Sequence, residues 1–231
     1  MKTSAVVIGA SGGIGGALAD ALAEEGAHAA IHRFARSEKG DGHLDLTDEA
    51  SIAAAAARVA AGPPPSLVIV ASGLLHDGPR GPEKALDALD AGWLARQFAV
   101  NAIGPALVAK HFLPLLWDGG AVFAALSARI GSISDNRLGG WYGYRASKAA
   151  LNQLIRTLAI ETRRTNDRAI IVGLHPGTVD TALSKPFQGN VPKGQLFAPD
   201  RAAVQLLDVI DDLGVKDSGK LFDWQGVEVA P

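Results

Sequence analysis

Short apolar runs alternate with longer helical stretches along the whole chain. Ala5-Val6-Val7-Ile8 is rich in β-branched residues and ends at Gly9. A helix is predicted over 14–25, closed by Gly26 in the left-handed conformation that glycine favours at helix ends. A strand follows near 29–31, and a short one ends at His43-Leu44-Asp45. Thr47 or Asp45 can cap an Ala-rich helix over 48–61, which Gly62-Pro63-Pro64-Pro65 stops because proline cannot continue it. Leu67-Val68-Ile69-Val70 is apolar without alternation, the pattern of a strand buried on both faces of a parallel sheet. A long helical stretch over 83–116, with breaks near Gly92 and Pro105, leads to a strand over 120–126. A helix over 141–165, a strand over 169–172, a helix over 199–213 and a last strand over 220–222 complete the pattern.

Alternating strands and helices joined by right-handed crossovers build a parallel sheet with helices on both faces. The expected fold is therefore α/β, a single Rossmann-type doubly wound domain over 1–231 with a seven-stranded parallel sheet. Composition agrees: 231 residues, 48% hydrophobic, suit one globular core. Twenty-two basic against 24 acidic residues give a net charge of -2, so no excess of positive charge points to nucleic acid or an anionic membrane. The absence of cysteine excludes disulfides, thiolate metal sites and thiol nucleophiles. The six histidines show no metal spacing, and no metal is expected. The apolar runs are read as too interrupted to span a membrane, and a cytoplasmic location is expected.

Gly9-Ala10-Ser11-Gly12-Gly13-Ile14-Gly15 joins the first strand to the first helix. Glycines there allow a tight turn and let backbone N–H groups approach an anion at the positive end of the helix. No Lys-Ser/Thr pair follows, so a nucleoside-triphosphate loop is not indicated. On the first βα unit of a doubly wound sheet the pattern reads as a dinucleotide site, with Gly9, Ser11, Gly13, Ile14 and Gly15 around the pyrophosphate. The segment ending the second strand carries Arg33 and Arg36 and no acid until Glu38. Arginines there suit a 2′-phosphate, so NADP(H) is expected in preference to NAD(H).

Tyr144-Arg145-Ala146-Ser147-Lys148 places a phenol and an ammonium at i and i+4, on one helix face. A nearby cation favours the phenolate, which would make Tyr144 a general acid or base near neutral pH. With the glycine loop upstream, this pair resembles the short-chain dehydrogenase/reductase family over the full chain. The resemblance implies Tyr144 as proton donor or acceptor, and Lys148 as the residue that holds the nicotinamide ribose and lowers the tyrosine pKa. It implies that Asn101, in Val100-Asn101-Ala102-Ile103-Gly104-Pro105, supports a water-linked proton relay. It implies that Asp45, with Leu46 beside it, contacts adenine. In Pro176-Gly177-Thr178-Val179-Asp180-Thr181, the Val179 backbone and Thr181 side chain would contact the nicotinamide carboxamide. Gly131-Ser132-Ile133, the stretch from Trp141 to Lys148 and the ending Phe222-Asp223-Trp224-Gln225-Gly226 look most like the C-factor and sniffer-like carbonyl reductase group.

Two stretches depart from the family. After the fourth strand the family's Asn-Asn-Ala-Gly is replaced by Val70-Ala71-Ser72-Gly73, which keeps the glycine and loses both asparagines. Its usual Ser-Ser ahead of a glycine becomes Leu126-Ser127-Ala128-Arg129-Ile130-Gly131, with alanine in the place of the catalytic serine. A one-residue bulge would bring Ser127 there; Ser132 and Ser134 are the alternatives. His175, at the end of the sixth strand, is a candidate contact to substrate or cofactor. The resemblance implies reversible hydride transfer between NADP(H) and a small-molecule carbonyl or alcohol, by a homodimer or homotetramer. A dinucleotide-binding signalling or redox-sensing protein with little turnover is the alternative.

Overall fold

Val6, Val7 and Ile8 are enclosed on successive positions, as in the middle of a sheet covered on both faces. In the computed structural model, which describes residues 2–231, they belong to β1 (Ser4–Ile8). It is followed by α1 (Gly13–Glu25), β2 (Ala30–Phe34), α2 (Glu49–Ala60) and β3 (Pro65–Val70). Next come α3 (Ala91–Phe98), α4 (Gly104–Phe112), β4 (Val122–Leu126), α5 (Tyr142–Thr162) and β5 (Ile170–His175). The two-residue strands β6 (Thr178–Val179) and β7 (Leu196–Phe197), then α6 (Pro199–Asp212) and β8 (Leu221–Asp223), end the chain.

The main sheet is parallel, in the order β2-β1-β3-β4-β5-β8. One face packs Val6, Ile8, Val68, Phe123 and Ile171 against α2, α4 and α5, through Ile52, Phe112 and Ile155 among others. The other packs Val7, Ile69, Ala124 and Val172 against Leu18 and Leu22 of α1 and Leu206 of α6. The chain winds from β1 to β2 in one direction and returns to β3 on the other side. This reversal opens a crevice beyond the carboxyl ends of β1 and β3, where ligands bind in such sheets.

The sheet has six strands, not the seven expected. Residues 43–45 make a lone bridge between His43 and Ala35 behind the turn Gly40–Gly42. Leu44 and Leu46 are buried as loop anchors instead. The long helix begins at Ala91 rather than near 83, because the Asp90 carboxylate accepts from Trp93 N at 2.7 Å and caps it. Pro105 does not break it: a π turn over Ala99–Ile103 directly precedes α4 and shifts the hydrogen-bond ladder at the point where proline has no N–H to give. The continuous stretch Ala91–Leu115 is long and apolar enough to cross a membrane, contrary to the expectation of interrupted apolar runs. Here it is a core helix, with Trp93, Gln97, Asn101, Val108 and Phe112 buried.

Candidate active site

The turn after β1 depends on close backbone approach. Gly9 has φ +92°, and a Cβ there would lie 2.5 Å from Ser72 Oγ. A Cβ on Gly15 would overlap the carbonyl oxygen of Gly9. The N-cap of α1, Gly12, has no side chain to satisfy the first N–H groups, and the first turn carries no acid. The positive end of α1 is therefore left for an anion.

That end opens on a cleft of about 440 Å³. Of the residues expected at a cofactor, Gly9, Ser11, Gly13, Ile14, Arg36 and Asp45 line it, as do Leu46, Ser72, Gly73 and Thr181. Gly15 lies under the loop. Pro176, Gly177 and Val179 do not line the cleft, and neither do Tyr144 and Lys148, which were also expected at the cofactor. Val179 is buried with Phe197 and Ala202, and a Cβ on Gly177, at φ +74°, would lie 2.8 Å from the Phe197 ring. Arg33 is corrected by the structure. It turns onto α1, pairing with Asp20 at 2.6 Å and donating to the Ala19 carbonyl at 3.0 Å. Arg36 alone of the two faces the cleft, with Ser37 beside it. Sequence reasoning missed Ser37, although a hydroxyl next to Arg36 suits a phosphate. It also missed His76, Arg96 and Leu183 in the same cleft, which come from separate loops that spacing does not connect.

Asp45 is fixed at one oxygen by Thr47, whose N and Oγ1 both donate to Oδ1 at 2.8 Å. Burial opposes its charge, but those hydrogen bonds, with Arg36 and His43 nearby, hold its carboxyl below the usual range. Asn101 sits on the π turn, fully buried. Its Oδ1 accepts from Leu74 N at 2.7 Å. Its Nδ2 donates to Leu74 O at 2.8 Å and to Ser147 Oγ at 3.1 Å. The amide thus clamps the backbone that follows β3. A Cβ on Gly73 would lie 3.7 Å from Asn101 Oδ1 and 3.8 Å from Lys148 Nζ, so both groups stand just behind the inner end of the cleft.

Tyr144 and Lys148 are both buried, with Nζ 5.8 Å from the phenol ring centre. Nζ donates to Leu126 O at 2.7 Å. Burial pushes the Tyr144 phenol up to about 12 and the Lys148 ammonium down to about 8. The lowered tyrosine pKa implied by the resemblance is not what this chain alone produces: desolvation dominates. Tyr144 packs with Leu75 and Ala128, next to Leu183 and Phe187. Trp141 covers it edge-on, and Phe187 stands 5.0 Å from Trp141. Trp141 is the one non-glycine among the described residues with positive φ, 53°. Buried Glu83 holds it there, accepting Trp141 N at its carbonyl and Gly143 N at its carboxylate.

No bulge delivers Ser127 to Tyr144. The β4–β5 ladder stays in register to Leu126 and Leu174, and Ser127 N donates to Leu174 O at 2.8 Å. The Ser127 side chain follows Phe123 and Ala125 to the α5 face, where its hydroxyl donates to Asn152 Oδ1 at 2.6 Å. Ser132 and Ser134 hydroxyls are directed at the Pro231 carbonyl. Beside Tyr144 there is the Ala128 methyl.

Sheet order, crevice and uncompensated helix end define a doubly wound α/β protein built to hold a nucleotide. The family model described as short chain dehydrogenase matches residues 3–191. The chain is 40% identical over 146 residues to the C-signal protein of Myxococcus xanthus, covering 63% of this chain and 82% of that one. It is 30% identical over 230 residues to cis-4-hydroxycyclohexanecarboxylate dehydrogenase of Sinomonas cyclohexanicum, covering 90% and 89%. The NADPH-bound carbonyl reductase from chicken fatty liver is similar in structure. Its TM-score is 0.83 at 27% identity, covering 100% of this chain and 95% of that one. The protein belongs to the short-chain dehydrogenase family and is an oxidoreductase with carbonyl-reductase-like relatives.

Proposed function

We propose that this protein is an NADPH-dependent carbonyl reductase in which Tyr144 gives the proton. One observation carries the reading: the ammonium of a buried phenol–ammonium pair stands behind Gly73, which lines a cleft that also offers a bare helix N-terminus and Arg36. The residues present fit a dinucleotide. The glycine turn leaves no room for a Cβ at Gly9 or Gly15, and Asp45 is held ionised. The first turn of α1 would receive the pyrophosphate, Asp45 the adenosine end, and Arg36 with Ser37 a 2′-phosphate. NADPH bound there supplies hydride from nicotinamide C4 to the carbonyl carbon.

In this reading Tyr144 protonates the carbonyl oxygen. Its raised pKa keeps it protonated throughout the physiological range, the state a proton donor needs. In this reading Lys148, anchored on Leu126 O, holds the ribose. Asn101 keeps the backbone around Leu74 rigid beside both groups and remains the candidate to support the relay. Ser127 is held by Asn152 on α5 and does not reach the carbonyl in this reading. Assembly as a dimer or tetramer remains part of this reading. A sensor with little turnover is favoured by one observation, the Ala128 methyl where the family has a hydroxyl. Tight NADPH binding with no turnover on aldehydes and ketones would select it.

Two tests bear on the cleft. Arg36→Ala is expected to weaken NADPH binding about 10–100-fold, since a charge-assisted hydrogen bond contributes about 1.5–3 kcal/mol. NADH binding should be unchanged, and Arg33→Ala should leave both unchanged by fluorescence titration. Equal losses for the two cofactors would contradict the assignment. The second test is the pH profile of reduction. A lysine depressed to about 8 is charged below that pH and neutral above it. The kcat/KM for reduction is therefore expected to be level from pH 6 to 7.5 and to fall above pH 8. A profile rising through pH 8–9 would contradict it.

A further inference from the structure

We infer that His175 donates a hydrogen bond from Nε2 to the substrate carbonyl oxygen, replacing the serine hydroxyl that this site lacks. The inference rests on the carbonyl-reductase reading above. It begins with a gap: a developing alkoxide is ordinarily held by two donors, and here Tyr144 is one while its neighbour at Ala128 is a methyl. Ser127, Ser132 and Ser134 have other partners.

His175 is the last residue of β5, one past Leu174, whose register partner on the neighbouring strand is Leu126. By strand alternation it projects to the α5 face with Ile171, the face that carries Tyr144 and Lys148. Lys148 and Arg129 lie near enough for their charges to act on the imidazole, and each is close to one member of the gap. Lys148 is one helical turn from Tyr144, and Arg129 adjoins Ala128. Asp223 of β8 is the next side chain across the sheet, opposite His175 in register. Its Oδ1 is taken by Gln225 N at 2.9 Å and Val227 N at 3.1 Å.

His175 Nδ1 is fully enclosed and has no hydrogen-bond partner. Enclosing a bare acceptor is tolerated better than enclosing an orphaned N–H, so the ring proton is assigned to Nε2. The residue as a whole is only partly buried, and Nε2 is not among the enclosed, unpartnered atoms. Burial drives its pKa down to about 4, so the ring is neutral at working pH. A neutral imidazole with one N–H is a suitable donor to a carbonyl becoming an alkoxide, and it does not compete with Tyr144 for the role of acid.

The test is a rescue experiment on the purified full chain. Turnover is measured with NADPH and a panel of aldehydes and ketones, alongside NADPH affinity by fluorescence and thermal stability. His175→Ala is expected to lower kcat about 10–1,000-fold, as losing one such donor does, with NADPH affinity and melting temperature unchanged. His175→Ala combined with Ala128→Ser is expected to recover kcat to within about fivefold of the wild type, because the hydroxyl returns beside Tyr144. Near-normal kcat in His175→Ala would overturn the inference. So would a loss that Ala128→Ser does not restore, or one that follows NADPH affinity or melting temperature. Failure of the wild-type protein to reduce any carbonyl despite binding NADPH is a different result. It would overturn the carbonyl-reductase reading, and this inference with it.

Discussion

Tyr144→Phe is expected to lower kcat for carbonyl reduction by about 10²–10⁴-fold, the usual contribution of a positioned acid. The substitution removes one oxygen from a side chain that is buried and 8% exposed. The ring keeps its packing with Leu75 and Ala128 and its edge contact with Trp141. The phenol oxygen makes no hydrogen bond to Lys148, whose Nζ is on Leu126 O. Stability and NADPH affinity are therefore expected to stay near wild type while chemistry is lost. Single-turnover decay of NADPH absorbance separates these outcomes. A variant that retains a tenth or more of wild-type kcat would remove Tyr144 from the role of acid.

Gly15→Ala carries the second large effect, and it acts through the backbone. The added methyl would overlap the Gly9 carbonyl oxygen and crowd Ala10 N at 3.2 Å. Both neighbours are main chain, so no side chain can rotate away. The turn must move, and the first N–H groups of α1 move with it. Overpacking of this kind costs about 1–3 kcal/mol, which for a chain of this length lowers the melting temperature by about 2–10 °C. NADPH affinity is expected to fall at least about 100-fold, because several backbone donors lose their alignment together. Gly16→Ala is the matched control, since it lies outside the cleft lining and its Cβ would stand 3.2 Å from the Ala10 carbonyl oxygen, which a small adjustment accommodates. Equal behaviour of the two variants, by thermal melting and titration, would contradict this account of the turn.

Much of this architecture is legible in local pattern. Apolar runs without alternation mark the buried strands, and the glycines after β1 mark a turn no other residue fits. Tyr144 and Lys148 declare themselves by helical spacing. What local pattern misses is decided by partners far away in the chain. Arg33 and Arg36 look equivalent until Asp20 on α1 takes the first. Ser127 and Ala128 exchange roles according to whether β4 ends in a bulge, and the continuous ladder to β5 settles which face Ser127 takes. Residues 43–45 have strand composition but make one bridge only. The strained Trp141 is held by Glu83, which precedes it by more than fifty residues, and no spacing rule joins the two.

The most direct test of the central claim is a hydride-transfer assay with NADPH carrying deuterium at both C4 positions. The protein is incubated with a panel of aldehydes and ketones, and the products are analysed by mass spectrometry. The account predicts alcohol products bearing one deuterium on the carbinol carbon, formed by the wild type and nearly absent with Tyr144→Phe. NADPH bound tightly by the wild type, with no deuterated alcohol from any carbonyl, would contradict it.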